Sequence, residues 1–593
     1  MSAVAHWSSY PAAGDRLLSF IGIEIHWAIL QYVLGLPFMT FIALLLYLRS
    51  KDRAWMRFAR TLAKGFVIVF AVGAATGTTV EFGLVLLWPN LTEAAGRYIY
   101  FPLYAEIFAF LMEVVFLYML WYGWNKLPPK ALAAVAFLGF LGAWYSASMI
   151  LSVNSYMVAP TGIEPAYKPS GVYLYSQGYP KIQVYMPKDL VPLLNVTALQ
   201  KVAHVDILGV YGDSVKVAIP ARVVQELVRE AWSGAKLQDS VLVHFVNKTT
   251  VQHLTLAQVQ ALAAKLGVPA ASLAGTKSPV EMLLSIPVKN VLDYILITTV
   301  KHIGYMSITF KSPVYPATLM HTIGSALTVS GFTVLAGYAL RLLRMPKDAD
   351  PEYKRYIEKA FKFAAIFAAI AIAYQGFIAG HEMGRAIAYW NPEKFAAIEG
   401  TSEHILSLSK LLHTDKIMPL IAYGSLSAKL PSYDKIPVNY CKCSLTGAPN
   451  IPDCRPPIII HYLYYTKIGL AILIGLYGLI VALIVIRNRL GIVDKVLNMV
   501  GIRGELPSRF WLMLAPIAAF VAQLVSTLGW AVREIGRKPW TIYGVMTVDV
   551  ARTVNPAPTW QLALIAIFLV SISLGLIYAV YKILWVPGKP RPR

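Results

Sequence analysis

Eight ionisable side chains fall inside, or at the edge of, stretches apolar enough to lie in a bilayer: Arg16, Glu24, His26, Glu81, Glu106, Glu113, His321 and Glu534. A charge at such depth is costly unless it has a partner or a task, so these groups are expected to face a shared polar interior. His26 is the only histidine of the first apolar stretch. Imidazole is the commonest haem-iron ligand, and it serves equally in an interhelical hydrogen bond. Glu106 and Glu113 are seven residues apart, close to two helical turns, so both carboxyls face one way. Stacked buried carboxyls suit a proton relay; the alternative is a pair of protonated carboxyls that only pack. His321 is followed by small residues, Thr322 to Ser325, which let a flat cofactor or another helix approach closely. The densest group is Arg533-Glu-Ile-Gly-Arg-Lys-Pro-Trp540, with two arginines, a lysine and a carboxylate where an apolar span ends.

The elements that must position these residues are membrane helices. The chain is 57 % hydrophobic and 14 % charged, against about 25 % charged residues in a soluble domain. Nine stretches can cross a bilayer of about 30 Å: 17–48, 62–88, 101–122, 129–153, 314–343, 358–380, 459–486, 508–531 and 558–584. The connections after the first, fifth and seventh spans, and the C-terminal tail, are rich in Lys and Arg. The positive-inside rule makes that side cytoplasmic and puts the N-terminus outside. The fold expected is an all-α polytopic protein of the cell membrane. Its net charge of +22 then reads as topology signals and contacts with anionic lipid rather than nucleic-acid binding.

The chain divides into helices one to four (1–162), an extracytoplasmic segment (163–312), helices five and six (313–380), a polar outer loop (381–458), and helices seven to nine with the tail (459–593). The 163–312 segment alternates β-rich runs (171–175, 182–185, 215–219, 241–245) with helical runs (222–233, 255–266), and reads as a small inserted α+β domain. The three cysteines, Cys441, Cys443 and Cys454, share the outer loop and predict a loop disulfide.

Taken in order, these residues resemble subunit I of the cytochrome bd quinol oxidases. The resemblance rests on Arg16-Leu with Ile25-His-Trp, Gly73-Ala-Ala-Thr-Gly-Thr-Thr-Val-Glu-Phe82, the two-glutamate element from Pro102 to Glu113, Ser146-Ala, Asn154-Ser-Tyr-Met with Pro160, and His321-Thr. It continues through Gly380-His-Glu-Met-Gly384 with Pro392-Glu-Lys-Phe-Ala-Ala-Ile-Glu399, Val485-Ile-Arg-Asn-Arg489, and Gly529-Trp530 through Trp540. It implies three haems: a high-spin haem d, or a second high-spin haem b, on His26; a high-spin haem b on Glu534; and a low-spin haem b on His321. Trp530, Arg537 and Arg16 would line the high-spin pair, and Glu106, Glu113 and Ser146 would lie on the proton or oxygen side. It also implies quinol and oxygen as substrates, a second membrane subunit as partner, and a quinol-binding loop beginning after span six. Within that loop His404, Lys410, His413 and Lys416 are candidates for a quinol oxygen.

The sequence departs from the family at the low-spin haem. The family places a methionine opposite the histidine, in an Arg-x-Met element on span seven. Residues 455–487 contain no methionine, and Lys467 stands at or near that position. Three outcomes are open: Lys467 ligates the iron, His461 does so two turns away after a helix shift, or the iron is five-coordinate or the haem missing. The departure keeps a non-catalytic haem-binding paralogue open. An ion-coupled transporter is the reading from another class, and the absence of an inverted repeat speaks against it.

Overall fold

The computed structural model describes residues 13–276, 278–442, 453–487, 491–499, 506–551 and 559–582. Its frame is a set of long helices: α1 (Ala13–Ser50), α2 (Arg53–Leu87), α3 (Pro89–Gly123) and α4 (Pro129–Val158), all before the inserted segment. Within that segment the principal helices are α5 (Ala221–Trp232) and α6 (Val288–Ile303). After it come α7 (Tyr315–Leu343), α8 (Pro351–Tyr374), α9 (Gly380–Trp390), α10 (Pro392–Glu399), α11 (Ile459–Ile486), α12 (Arg509–Ile535) and α13 (Thr559–Val580). Eight helices among the described residues are long and apolar enough to cross a membrane. The ninth expected span corresponds to α13, a 22-residue apolar helix. The protein is thus a multi-pass membrane protein.

Proline opens several helices, in the first turn of α3, α4, α7, α8 and α10. There its missing N–H leaves no hydrogen bond unmade. Asp350 and Asn391 cap α8 and α10 by accepting from the backbone N–H of Tyr353 and Lys394, each at 3.1 Å. The sixth span is longer than its sequence suggests. It runs through a π-helical turn, Gln375–Ala379, into α9, giving 40 helical residues from Pro351 to Trp390. At 1.5 Å per residue that is about 60 Å, twice the hydrocarbon thickness, so α9 stands above the bilayer.

The central helix is α7, enclosed by α1, α4, α8 and α12. Its buried face is built from small residues such as Gly324, Ala326, Ser330 and Gly331, which allow the close approach that membrane helices use in place of a hydrophobic drive.

The inserted segment forms a four-stranded antiparallel sheet. Its strands are β1 (Ile163–Glu164), β2 (Lys181–Pro187), β3 (Asp206–Tyr211) and β4 (Ser214–Pro220), in the order β1-β2-β4-β3. Val184 pairs with Val217 and Ile182 with Ile219. Val215, Val217 and Ile219 join Val223, Leu227 and Ala231 of α5 in a core of the domain's own. The helical runs near 222–233 and 255–266 are helices Ala221–Trp232 and Leu256–Lys265. The run 241–245, expected as a strand, is a 3₁₀ helix capped by the Ser240 hydroxyl, with Val241 and Phe245 buried on one side. A run of five residues, four of them apolar, fits either period, and here the cap decides. The loop disulfide joins Cys441 to Cys454; Cys443 lies outside the described residues.

Candidate functional site

α1 and α12 run antiparallel, and each brings a carboxyl group, Glu24 and Glu534, to the region between them. Glu24 and Trp27 lie one turn apart on α1, as Trp530 and Glu534 do on α12. Trp27 stacks on Trp530, with ring centroids 5.3 Å apart and planes inclined by 15°. The Trp27 indole donates to Ser526 Oγ at 2.9 Å, and Ser526 meets Ser325 of α7 at 2.8 Å. Outward of the two tryptophans, Glu534 is buried. One of its oxygens accepts from Arg537 and the other from Asn154 Nδ2 at 3.2 Å. Arg533 donates to Asn154 Oδ1 at 2.5 Å and to Thr318 Oγ1 at 3.3 Å, and its guanidinium lies over the Trp530 ring. Asn154 therefore bridges the carboxylate and the neighbouring cation with its two amide ends.

Donors are left over. Among the described residues, Arg533 Nη2, Arg537 Nε and Nη1, and the Trp530 indole N–H have no hydrogen-bond partner, nor do the two carboxyl oxygens of Glu24. Buried polar groups without partners cost free energy comparable to a lost hydrogen bond. Guanidinium N–H groups in this number suit carboxylates supplied from elsewhere, such as haem propionates.

His26 faces α2. Its Nδ1 is 3.0 Å from Thr76 Oγ1, and the Thr76 hydroxyl reaches the carbonyls of Val72 and Gly73, each at 3.1 Å. With that hydroxyl hydrogen committed to the backbone, Thr76 Oγ1 accepts from Nδ1–H. The lone pair of His26 then sits on Nε2, as metal ligation requires. A Cβ on Gly77 would stand 3.0 Å from His26 Cε1, so glycine is what lets the ring lie this close to α2. Among the described residues no group of three or more His, Cys, Asp and Glu could hold a bare metal ion. Single protein ligands such as His26, His321 and Glu534 suit an iron whose other ligands a macrocycle provides. On these grounds the residues fit haem.

His321 lies on α7 against the π-helical turn. The Gln375 amide nitrogen is 3.1 Å from His321 Nδ1, while Gln375 Oε1 is buried without a partner. The His321 ring also has a hydrogen bond with the backbone of Ala379. Lys467 lies on α11 with its amine 4.7 Å from the centre of the Tyr464 ring. His461 is held elsewhere: Nδ1 is 2.8 Å from the Ile398 carbonyl and Nε2 accepts from Leu408 N–H at 2.8 Å. Both ring nitrogens are engaged, which removes His461 as an iron ligand in this arrangement.

On α3, Glu106 accepts from the Ser146 hydroxyl of α4 at 3.0 Å, and Glu113 is buried against Gly142. Glu106 lies within electrostatic reach of both Glu81 and Glu113. Arg16 belongs to α1, but its side chain lies outside the described residues.

Under the outer loop sits a second polar cluster. His404, Lys410, His413 and Lys416 are exposed, whereas every residue of α10 is buried. Lys394 donates to the Arg533 carbonyl at 3.0 Å, and Glu399 accepts from Tyr465 OH at 2.9 Å. Glu393 accepts from Tyr175 of the inserted domain at 2.8 Å and from Tyr543 at 2.6 Å. Burial pushes the Glu399 carboxyl up to about 7. Burial, then the Arg533 guanidinium, pushes the Lys394 amine down to about 7. The sequence contained Lys394 and Glu399 in its quinol-loop motif but gave no sign of their burial. Gly400, at φ +61°, ends α10 where a Cβ would stand 2.6 Å from the His461 ring. Beside this cluster Phe377, Leu411, Leu412 and Ile417 expose apolar surface.

The family model described as cytochrome bd terminal oxidase subunit I matches residues 15–251 and 297–587. Of the inserted segment, 252–296 falls outside the match. The chain is 32 % identical over 130 residues to a putative cytochrome bd menaquinol oxidase subunit I of Bacillus subtilis (strain 168), covering 22 % of this chain and 29 % of the relative. It is 34 % identical over 138 residues to the cytochrome bd ubiquinol oxidase subunit 1 of the same strain, covering 23 % and 30 %. It is 32 % identical over 138 residues to the cytochrome bd-II ubiquinol oxidase subunit 1 of Escherichia coli (strain K12), covering 23 % and 27 %. The chain thus matches less than a third of the length of these curated relatives. Its fold is shared with a chain of the bd oxidase from Geobacillus thermodenitrificans, at a TM-score of 0.59 and 18 % identity, covering 97 % of this chain and 98 % of that chain.

Proposed function

The chain belongs to the cytochrome bd terminal oxidase subunit I family, and from that premise we propose that it is the haem-bearing subunit of a membrane oxidase that oxidises quinol outside and reduces dioxygen to water. The observation that carries this reading is the buried Glu534 cluster, whose unpaired guanidinium donors stand beside the Trp27–Trp530 stack.

His26, through Nε2, would hold the high-spin haem d or a second haem b. Glu534 would hold a high-spin haem b, and His321 the low-spin haem b. When bound, the haems supply the one-electron steps and the dioxygen chemistry. Arg533 and Arg537 compensate the Glu534 charge and offer their remaining N–H groups to propionates. Trp27 and Trp530 wall the site and exclude water.

Two quinols deliver four electrons and release four protons; one dioxygen takes four electrons and four protons to give two waters. Quinol, being lipid-soluble, enters past the exposed apolar residues of the outer loop. Glu399, poised near neutrality and held by Tyr465, takes a quinol proton and passes it outward. Protons for water come from inside. Glu113, two turns inward of Glu106, hands them on, and Ser146 fixes Glu106 to receive them. Release outside and uptake inside separate charge across the membrane without a pump. A second membrane subunit completes the enzyme.

The test is a reduced-minus-oxidised and CO-difference spectrum of the purified complex, with haem extraction. CO-reactive high-spin haem is expected. Haem with no CO-reactive fraction would overturn oxygen reduction in favour of the non-catalytic paralogue, and no haem at all would favour the transporter.

A further inference from the structure

The helix arrangement around His321 points to what replaces the missing methionine. α7 packs along α8 and α12; α11 packs along the same two; α7 and α11 meet through side chains, as Phe332 and Tyr477 do, rather than backbone to backbone. The four helices therefore form a square with α7 and α11 on one diagonal, and side chains from the two can face each other across its centre. Both diagonal helices enter from the outer surface. His321 lies six residues past the start of α7 and Lys467 eight past the start of α11, which is about 9 and 12 Å of helix. The two residues stand at nearly one depth.

Three further observations converge on this diagonal. Lys467 and Arg533 both lie within electrostatic reach of the His321 ring. Among the described residues no hydrogen bond or ion pair engages the Lys467 amine, which rests only against the Tyr464 ring. On α12, Gly529 gives the lysine stem room, since a Cβ there would lie 3.5 Å from Lys467 Cδ.

We propose that Lys467 is the second axial ligand of the low-spin haem, opposite His321, so that the iron is held by an imidazole and a primary amine. This rests on the haem-bearing reading above and deepens it. His461, the other nitrogen donor near this position, spends both ring nitrogens on the outer loop. On coordination the ammonium gives up one proton and the nitrogen lone pair forms the iron bond; no redox partner is required. Gln375 is a positioning residue in this arrangement: its amide sets the His321 ring, and Gly324 leaves the space, because a Cβ there would fall 2.4 Å from Gln375 Oε1.

The experiment compares wild type, Lys467→Ala and Lys467→Met in the purified holo-complex. The readouts are haem content, low-temperature EPR, near-infrared magnetic circular dichroism and the midpoint potential of the low-spin haem. Wild type is expected to show a low-spin ferric haem with two nitrogen ligands. K467A is expected to lose that signature and to gain CO binding at this haem. K467M is expected to keep a low-spin haem, now with a sulfur-ligand band, and to shift its potential upward, since methionine opposite histidine raises it. An unchanged low-spin spectrum in K467A would overturn the proposal; if K467A does not accumulate, an unchanged spectrum in K467M does so. Absence of any low-spin haem from wild type overturns it as well. Loss of CO-reactive high-spin haem from wild type strikes the oxidase reading instead, so the two failures are told apart.

Discussion

The outer ends of α12 and α7 solve one problem, a polar ligand inside a membrane protein, by opposite means. Glu534 brings its compensation with it: Arg533 and Arg537 are within three residues, and among the described residues Asn154 is its one hydrogen-bond partner drawn from far away. His321 brings nothing. Gln375 comes from 54 residues on, and the proposed partner Lys467 from the helix diagonal to its own. A short charged motif marks the first kind of site. The second kind exists only after several helices have assembled.

Removing a local partner should therefore do more damage than removing a remote one. Arg537→Ala strands a buried carboxylate, a change that costs about 3–5 kcal/mol. Loss of the Glu534 haem and of oxidase turnover is expected, measured by haem extraction and oxygen uptake. Retention of full haem content would break the contrast between the two ends. Gln375→Ala should act more mildly, because His321 itself remains: roughly 10- to 100-fold weaker retention of the low-spin haem, as for other outer partners of metal ligands, read by haem titration. A loss as complete as that of R537A would show that the remote partner matters as much as the local one.

The smallest effect concerns the loop. Burial raises the Glu399 carboxyl to about 7, so its proton-accepting form grows as pH rises through that value. Quinol oxidation limited by this base should increase roughly tenfold between pH 6 and 8, and Glu399→Gln should flatten the rise. The sign follows from the group: a carboxyl accepts a proton only after losing its own. A steady-state pH profile that is identical in both proteins would move the base elsewhere.

What the sequence disclosed divides along the same line. Glu534 with Arg537, the paired carboxyls Glu106 and Glu113, and the loop disulfide were visible because each is marked locally, by charge in an apolar run, by helical spacing or by cysteine content. Thr76 was hidden in a run of small residues, and only its approach to His26 shows that it sets the tautomer. Lys394 and Glu399 sat in a short polar helix that nothing local distinguishes from a solvated one. Their burial comes from α11, α12 and the inserted domain, all distant in sequence. The histidines and lysines that looked suited to quinol, His404 to Lys416, are exposed for the complementary reason: among the described residues no later segment covers them. The run 241–245 was too short for its period to tell strand from helix.

Glu393 ties the outer surface together. Its two oxygens hold a tyrosine 218 residues upstream, in the inserted domain, and another 150 residues downstream, beyond α12. Cutting either tie leaves a buried acceptor without its donor, so the segments resist moving apart. The inserted domain therefore works as a splint. A load applied to it, by a neighbouring protein or by heat, is carried into the short helix that bears Lys394 and Glu399, and the stiffness of the proposed quinol entrance is set from outside the membrane.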